Sequence, residues 1–214
     1  MGVLGSLQTV IEELHDVETE LDVGSFVVNE ATRSAIPGAC HGLLEQLFVR
    51  EDDDGMELAL YIDPKILQCL EVNDPRLKLH AGNFEAYCIA LEGVSHFVFL
   101  TWRAQLGRPV TALELEIQAE VDKFVTAWLL LARQGGRRLH EIAPTLSRRL
   151  FDDYDVREAV PADEVSRYHV ANRAARRYCR DLAARFGRDR HERRIRADVR
   201  AFYRRGLSEK LQAA

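Results

Sequence analysis

The stretch from about residue 83 to residue 106 is apolar almost throughout, with Phe84, Tyr87, Ile89, Leu91, Val94, Phe97, Val98, Phe99, Leu100 and Trp102 leaving little room for charge. Read as a helix, it is stable only if other elements cover it on every side. Gly107-Arg108-Pro109 ends it, and Thr111 with Glu114 then has the spacing of a capping box that starts a second helix over 112–134. Gly135-Gly136 stops that helix. A loop this short folds the two into an antiparallel pair. The expected fold is therefore mainly α, a helical bundle built around a long antiparallel helix hairpin at about 83–134.

The rest of the chain is arranged around that hairpin. Leu7, Val10, Ile11, Leu14, Val17 and Leu21 recur at helical spacing, so residues 6–21 read as an amphipathic helix capped by Ser6. Residues 25–28 read as a short strand and 33–42 as a loop. Two strands, 43–51 and 56–62, flank Asp52-Asp53-Asp54-Gly55, a strong hairpin signal. They give a small N-terminal α+β part with a β-hairpin at about 43–62. Asp63-Pro64 opens a short helix, and a helix over 137–151 is expected to bend near Pro144. Helices over 162–186 and 190–211 complete the chain. The organisation reads as 1–80, 81–151 and 162–214, taken together as one compact domain with an appendage.

At 47% hydrophobic residues, with 6 prolines among 214 residues, the chain is of ordinary globular composition. Cys40, Cys69, Cys88 and Cys179 are widely spaced and form no Cys-x-x-Cys pair, which points to free thiols and a cytoplasmic setting. No signal peptide is visible, and the apolar runs Phe97 to Trp102 and Ala127 to Ala132 are much shorter than the roughly 20 residues that cross a bilayer. No transmembrane segment is expected. Met1-Gly2 with Ser6 fits the N-myristoylation form, a pattern that a plain helix start also explains.

On the apolar helix, Glu85, Glu92, His96 and Arg103 fall on one narrow line at about 100° per residue. Folding the hairpin brings that line toward Glu116, Glu120 and Lys123. One reading is a catalytic cluster in which Glu92, His96 and Glu120 hold a metal or act as acid and base. The other is a set of interhelical ion pairs. The sequence contains neither repeated Glu-x-x-His motifs, a phosphate loop, a dinucleotide fingerprint nor a nucleophile elbow. No metal and no cofactor are expected from motifs.

Charge is distributed unevenly. Residues 1–132 carry 22 acidic and 8 basic side chains, a net −14, whereas 133–214 carry 12 and 21, a net +9. Arg173, Arg176, Arg177 and Arg180 lie along one helix, and Arg193, Arg194, Arg200 and Arg204 along the next. Arginine makes planar bidentate contacts with carboxylates and phosphates. The leading expectation is a non-catalytic interaction protein whose basic C-terminal helices dock an acidic partner or a second copy. The alternatives are nucleic-acid binding by the same arginines and the Glu/His enzyme.

Overall fold

The structure is a computed structural model that describes residues 2–52, 55–153, 160–162, 164–188 and 192–213. The expected hairpin stands at its centre. Helix α4 (Phe84–Gln105) and helix α5 (Ala112–Gly135) run antiparallel, and Thr111 with Glu114 forms the capping box. Phe97, Val98, Phe124, Val125 and Trp128 are wholly buried between these helices and the elements around them. Among the described residues α4 is the one helix long and apolar enough to cross a membrane, and 83% of its most apolar window is covered by the rest of the fold.

On one side of the hairpin lies helix α1 (Val3–His15), which ends six residues before the expected Leu21. Asp16 takes a left-handed conformation, φ 56°, and closes the helix. Ser6 does not cap it; Gly2 holds that position, and the Ser6 hydroxyl donates back to the Gly2 carbonyl at 3.2 Å. A short 3-10 turn follows at Val23–Phe26, and then strand β1 (Val27–Val28). The segment expected as a loop begins instead with helix α2 (Glu30–Ala35), because the Asn29 side chain accepts the Thr32 N–H and caps it.

Strands β2 (Glu45–Asp52) and β3 (Gly55–Ile62) pair antiparallel as expected, in register from Glu45 with Ile62 to Asp52 with Gly55. The turn residues Asp53 and Asp54 lie outside the described residues. β1 adds to β3 in parallel, giving the order β1-β3-β2. Helix α3 (Pro64–Val72) is capped by Asp63 with Pro64 at its start.

Helix α6 (Leu139–Ser147) contains Pro144 and runs on into a π turn (Arg148–Asp152), closed by the Asp153 N–H on the Arg148 carbonyl at 2.9 Å. The irregularity therefore falls after Pro144 rather than at it. Helix α7 (Val165–Phe186) packs along α5. The single helix expected over 190–211 is two: α8 (Arg193–Tyr203) and α9 (Leu207–Ala213). At the break, the Gly206 N–H donates to Glu209.

That break turns Lys210 inward. Its ammonium is fully buried, donates to Gln118 and faces the rings of Phe99 at 4.4 Å and Phe202 at 4.9 Å. Gln118 in turn donates to Asp122 at 2.8 Å, which also receives His15 Nε2 at 2.7 Å and the Ser95 hydroxyl at 2.6 Å. Burial keeps His15 neutral against the pull of Asp122, so Nε2–H is the donor. Burial likewise pushes the Lys210 pKa down to about 7, with Asp122 and Glu114 opposing and Arg103 and Arg205 reinforcing the shift.

Between that value and the ordinary lysine pKa of 10.5 the unfolded chain holds a proton that the folded chain has lost, so stability rises with pH across this window. Lys210→Met keeps the length and the ring contacts but removes the titration. Chemical denaturation of both proteins should show wild type gaining about 2 kcal/mol on the variant between about pH 7 and about pH 9. Parallel pH profiles would refute the buried, neutralised lysine.

Candidate functional site

On the opposite side of the hairpin the expected polar line and its partners come together. Lys123 donates to Glu92 at 2.9 Å and to Glu120 at 2.7 Å, and Arg103 meets Glu114 at 3.6 Å. His96 faces Glu116, with Nε2 3.6 Å from Oε2, rather than Glu120. All these groups except Glu92 are buried, including both ends of the Lys123–Glu120 pair.

Two further groups reach the cluster from elsewhere. Glu45, the first residue of β2, places Oε1 3.4 Å from His96 Nδ1, and Arg167 of α7 lies 3.6 Å from Glu116. Neither was visible in the periodicity of the hairpin. The signal for Glu45 was Gly93, a glycine in the middle of an otherwise bulky helix. A Cβ on Gly93 would stand 2.8 Å from Glu45 Cγ and 3.1 Å from Leu60 Cδ1, so the missing side chain is what lets the sheet bring a carboxylate against α4.

Burial and charge act on each group in turn. Burial raises Glu45 above the usual carboxylate range, and the nearby Glu92 and Glu116 add to it. Burial also raises Glu120, with Lys123 opposing and Glu92 adding. For His96 burial works against the charge, but the Glu45 and Glu116 carboxylates outweigh it and hold the pKa well above that of a free histidine. Lys123 is held well above its ordinary value in the same way, by Glu120 and Glu92 against burial.

The cluster opens into a cleft of about 350 Å³ between α4, the start of β2, α5, the π turn and α7. Glu45, Glu92, Glu120 and Lys123 stand in its wall beside Cys88, Phe84, Arg149 and Tyr168. Burial pushes the Cys88 thiol up to about 12, which disfavours the thiolate. Four polar atoms of the cluster are buried with no hydrogen-bond partner: His96 Nε2, Arg103 Nε, Glu120 Oε2 and Arg167 Nε. Buried groups are rarely left so. Glu92, His96 and Glu116 each offer a ligand atom within 4.8 Å of the others.

The arginines of the C-terminal helices are mostly engaged within the fold. Arg176 and Arg180 pair with Asp152 of the π turn, and Arg177 donates to the Leu211 carbonyl at 2.9 Å. Arg200 donates to the carbonyls of Glu13 and Leu14, and Arg204 to those of His15 and Asp16, at 2.9–3.0 Å. They cap α1 where its own hydrogen bonds run out. Arg194 lies over Phe186. Arg173 and Arg193 are exposed and make no ion pair with a described residue.

Gly93→Ala separates two opposing effects. Helix propensity favours alanine by about 0.8–1.0 kcal/mol, whereas overpacking costs about 1–3 kcal/mol. With Glu45 and Leu60 this close, the variant should be less stable by about 1 kcal/mol in denaturant titration. A stabilised variant would mean that Glu45 is not pressed onto the helix. Comparison with family models, curated proteins and solved structures found no match to this chain.

Proposed function

We propose that the protein is an enzyme acting on a small substrate in this cleft, with Glu120 and Lys123 as its proton-transfer pair. The observation that carries the reading is Glu120 itself. One of its oxygens is fixed by Lys123 at 2.7 Å, while the other is buried in the cleft wall without a partner. A carboxyl held in this way has one oxygen positioned and one whose hydrogen-bonding capacity is unused, which a substrate proton brought to it through the cleft wall would fill, as general acid–base catalysis needs. The cleft volume falls within the range of about 300–1,000 Å³ typical of small-molecule sites. The docking and nucleic-acid readings have less support, since Arg176, Arg177, Arg180, Arg200 and Arg204 are used in holding the fold together.

Two measurements test this. Chemical-shift mapping with a small-fragment library should place hits on residues of the cleft wall. Turnover of a panel of chromogenic esters, anilides and phosphoesters should fall at least about 100-fold in Glu120→Gln with the circular dichroism spectrum unchanged. Fragments binding elsewhere, together with turnover indifferent to Glu120, would reject the cleft as an active site.

A further inference from the structure

Behind the cleft wall, between Glu45 and Glu116, lies a second unpaired group. His96 is 6% exposed, its Nδ1 faces Glu45 at 3.4 Å, and its Nε2 has no hydrogen-bond partner. Nε2 is directed toward Glu116, but at 3.6 Å the separation exceeds hydrogen-bond reach. A buried imidazole nitrogen without a partner is costly unless something outside the chain fills the gap.

The geometry points to a divalent transition-metal ion bound by Glu92, His96 Nε2 and Glu116, with Glu45 orienting the imidazole through Nδ1. This deepens the enzyme reading by naming a cofactor for the same cleft, and it rests on that reading only for the ion's role. Metal-bound histidines characteristically give their other ring nitrogen to a carboxylate, which fixes the tautomer and the ring orientation. The Glu45–His96 pair supplies that arrangement here. The donor set fits as well. One imidazole and two carboxylates suit zinc, manganese or ferrous ions better than calcium, which takes oxygen ligands alone, or the all-thiolate centres.

Distances support a site that closes by side-chain rotation alone. Bonds of about 2.0–2.2 Å set neighbouring ligand atoms about 3.3 Å apart. The three candidate atoms lie within 4.8 Å of one another, and one pair is already at 3.6 Å. Two carboxylates match the charge of a dication once the ion displaces the proton from His96 Nε2, as metal binding does. Glu92 spans the cluster and the cleft, for it both stands in the cleft wall and receives Lys123 at 2.9 Å. The ion would therefore lie behind the wall on which Glu120 stands. It would supply Lewis-acid activation only to a water or substrate oxygen that reaches it past Glu92, the one of its ligands that lines the cleft.

The test is binding, measured separately from turnover. The purified full chain is stripped with chelator and titrated by calorimetry with zinc and manganese, and with cobalt for its visible absorption. One ion per chain is expected, with a cobalt spectrum that reports imidazole and carboxylate ligation. Glu92→Gln, His96→Gln and Glu116→Gln should each weaken binding at least about 100-fold, and Glu45→Gln by about 10–100-fold. Should His96→Gln fail to fold, the conservative Glu116→Gln and the wild-type titration still decide.

A folded wild-type protein that takes up none of the three ions overturns the proposal, as does stoichiometric binding untouched by the ligand variants. Glu120-dependent turnover in stripped protein removes the ion and leaves the enzyme. Stoichiometric binding with no turnover and no fragment in the cleft removes the enzyme and leaves the ion.

Discussion

Charge buried at the centre of the fold is the constraint that places everything around it. The α4–α5 hairpin carries polar side chains on both sides, and neither side is stable without counter-groups from elsewhere. Toward α1 it presents Asp122, Ser95 and Gln118, and toward the sheet Glu92, His96, Glu116, Glu120 and Lys123. α1 brings His15 and α9 brings Lys210 to the first side, while β2 brings Glu45 and α7 brings Arg167 to the second. The peripheral elements are thus positioned by polar complementarity as well as by apolar burial.

The two polar clusters differ in a way that separates structure from chemistry. Around Asp122 both carboxylate oxygens are engaged, His15 stacks on Tyr203 at 3.8 Å, and no described cleft reaches the group. That network specifies where α1 and α9 dock. The cluster around His96 is equally buried, and one of its unpartnered atoms, Glu120 Oε2, belongs to a residue in the wall of an open cleft. Both sides leave buried polar atoms unpaired, His15 Nδ1 and the Tyr203 hydroxyl on the first and His96 Nε2 and Glu120 Oε2 on the second, but only the second borders a described cleft, and a broken folding rule at such a place is where function is found. The missing partners are also of different kinds. Glu120 lacks one on an oxygen, which suits a proton, and His96 lacks one on a nitrogen already oriented through its ring, which suits a metal.

Much of this was legible in the residues, within a definite limit. Helical arithmetic on two segments joined by a short loop was enough to fold the hairpin and to bring Glu92 and His96 toward Glu116, Glu120 and Lys123, because that meeting depends only on a 3.6-residue period and a short loop. His96 was placed one turn from its partner, at Glu120 rather than Glu116. What could not be read depends on contacts between distant segments. Glu45 lies on a strand whose position against α4 is set by Gly93, and Lys210 turns inward only because the last predicted helix breaks near Gly206. The arginine faces were recognised as basic, but periodicity records only which side of a helix a residue occupies. It does not record that the C-terminal end of α1 lies against that side.

Those arginines also explain the uneven charge. The excess of positive residues after position 132 suggests a surface for an acidic partner, yet Arg200 and Arg204 are held by neutral carbonyls at the end of α1. Cations at a helix C-terminus are favourable for the same reason anions are at its start. Arg204 donates there to carbonyls and Arg200 reaches one carboxylate, Asp16 at 3.6 Å, so part of the N-terminal acidity stays where the chain puts it. One such place is the cleft, whose wall contains Glu45, Glu85, Glu92, Glu120 and Asp153 against Lys123 and Arg149. A concave wall with that balance attracts cations and focuses their approach. The asymmetry first visible as a basic tail is therefore expressed in the folded protein as an acidic cleft, and the charge pattern itself favours a cation there.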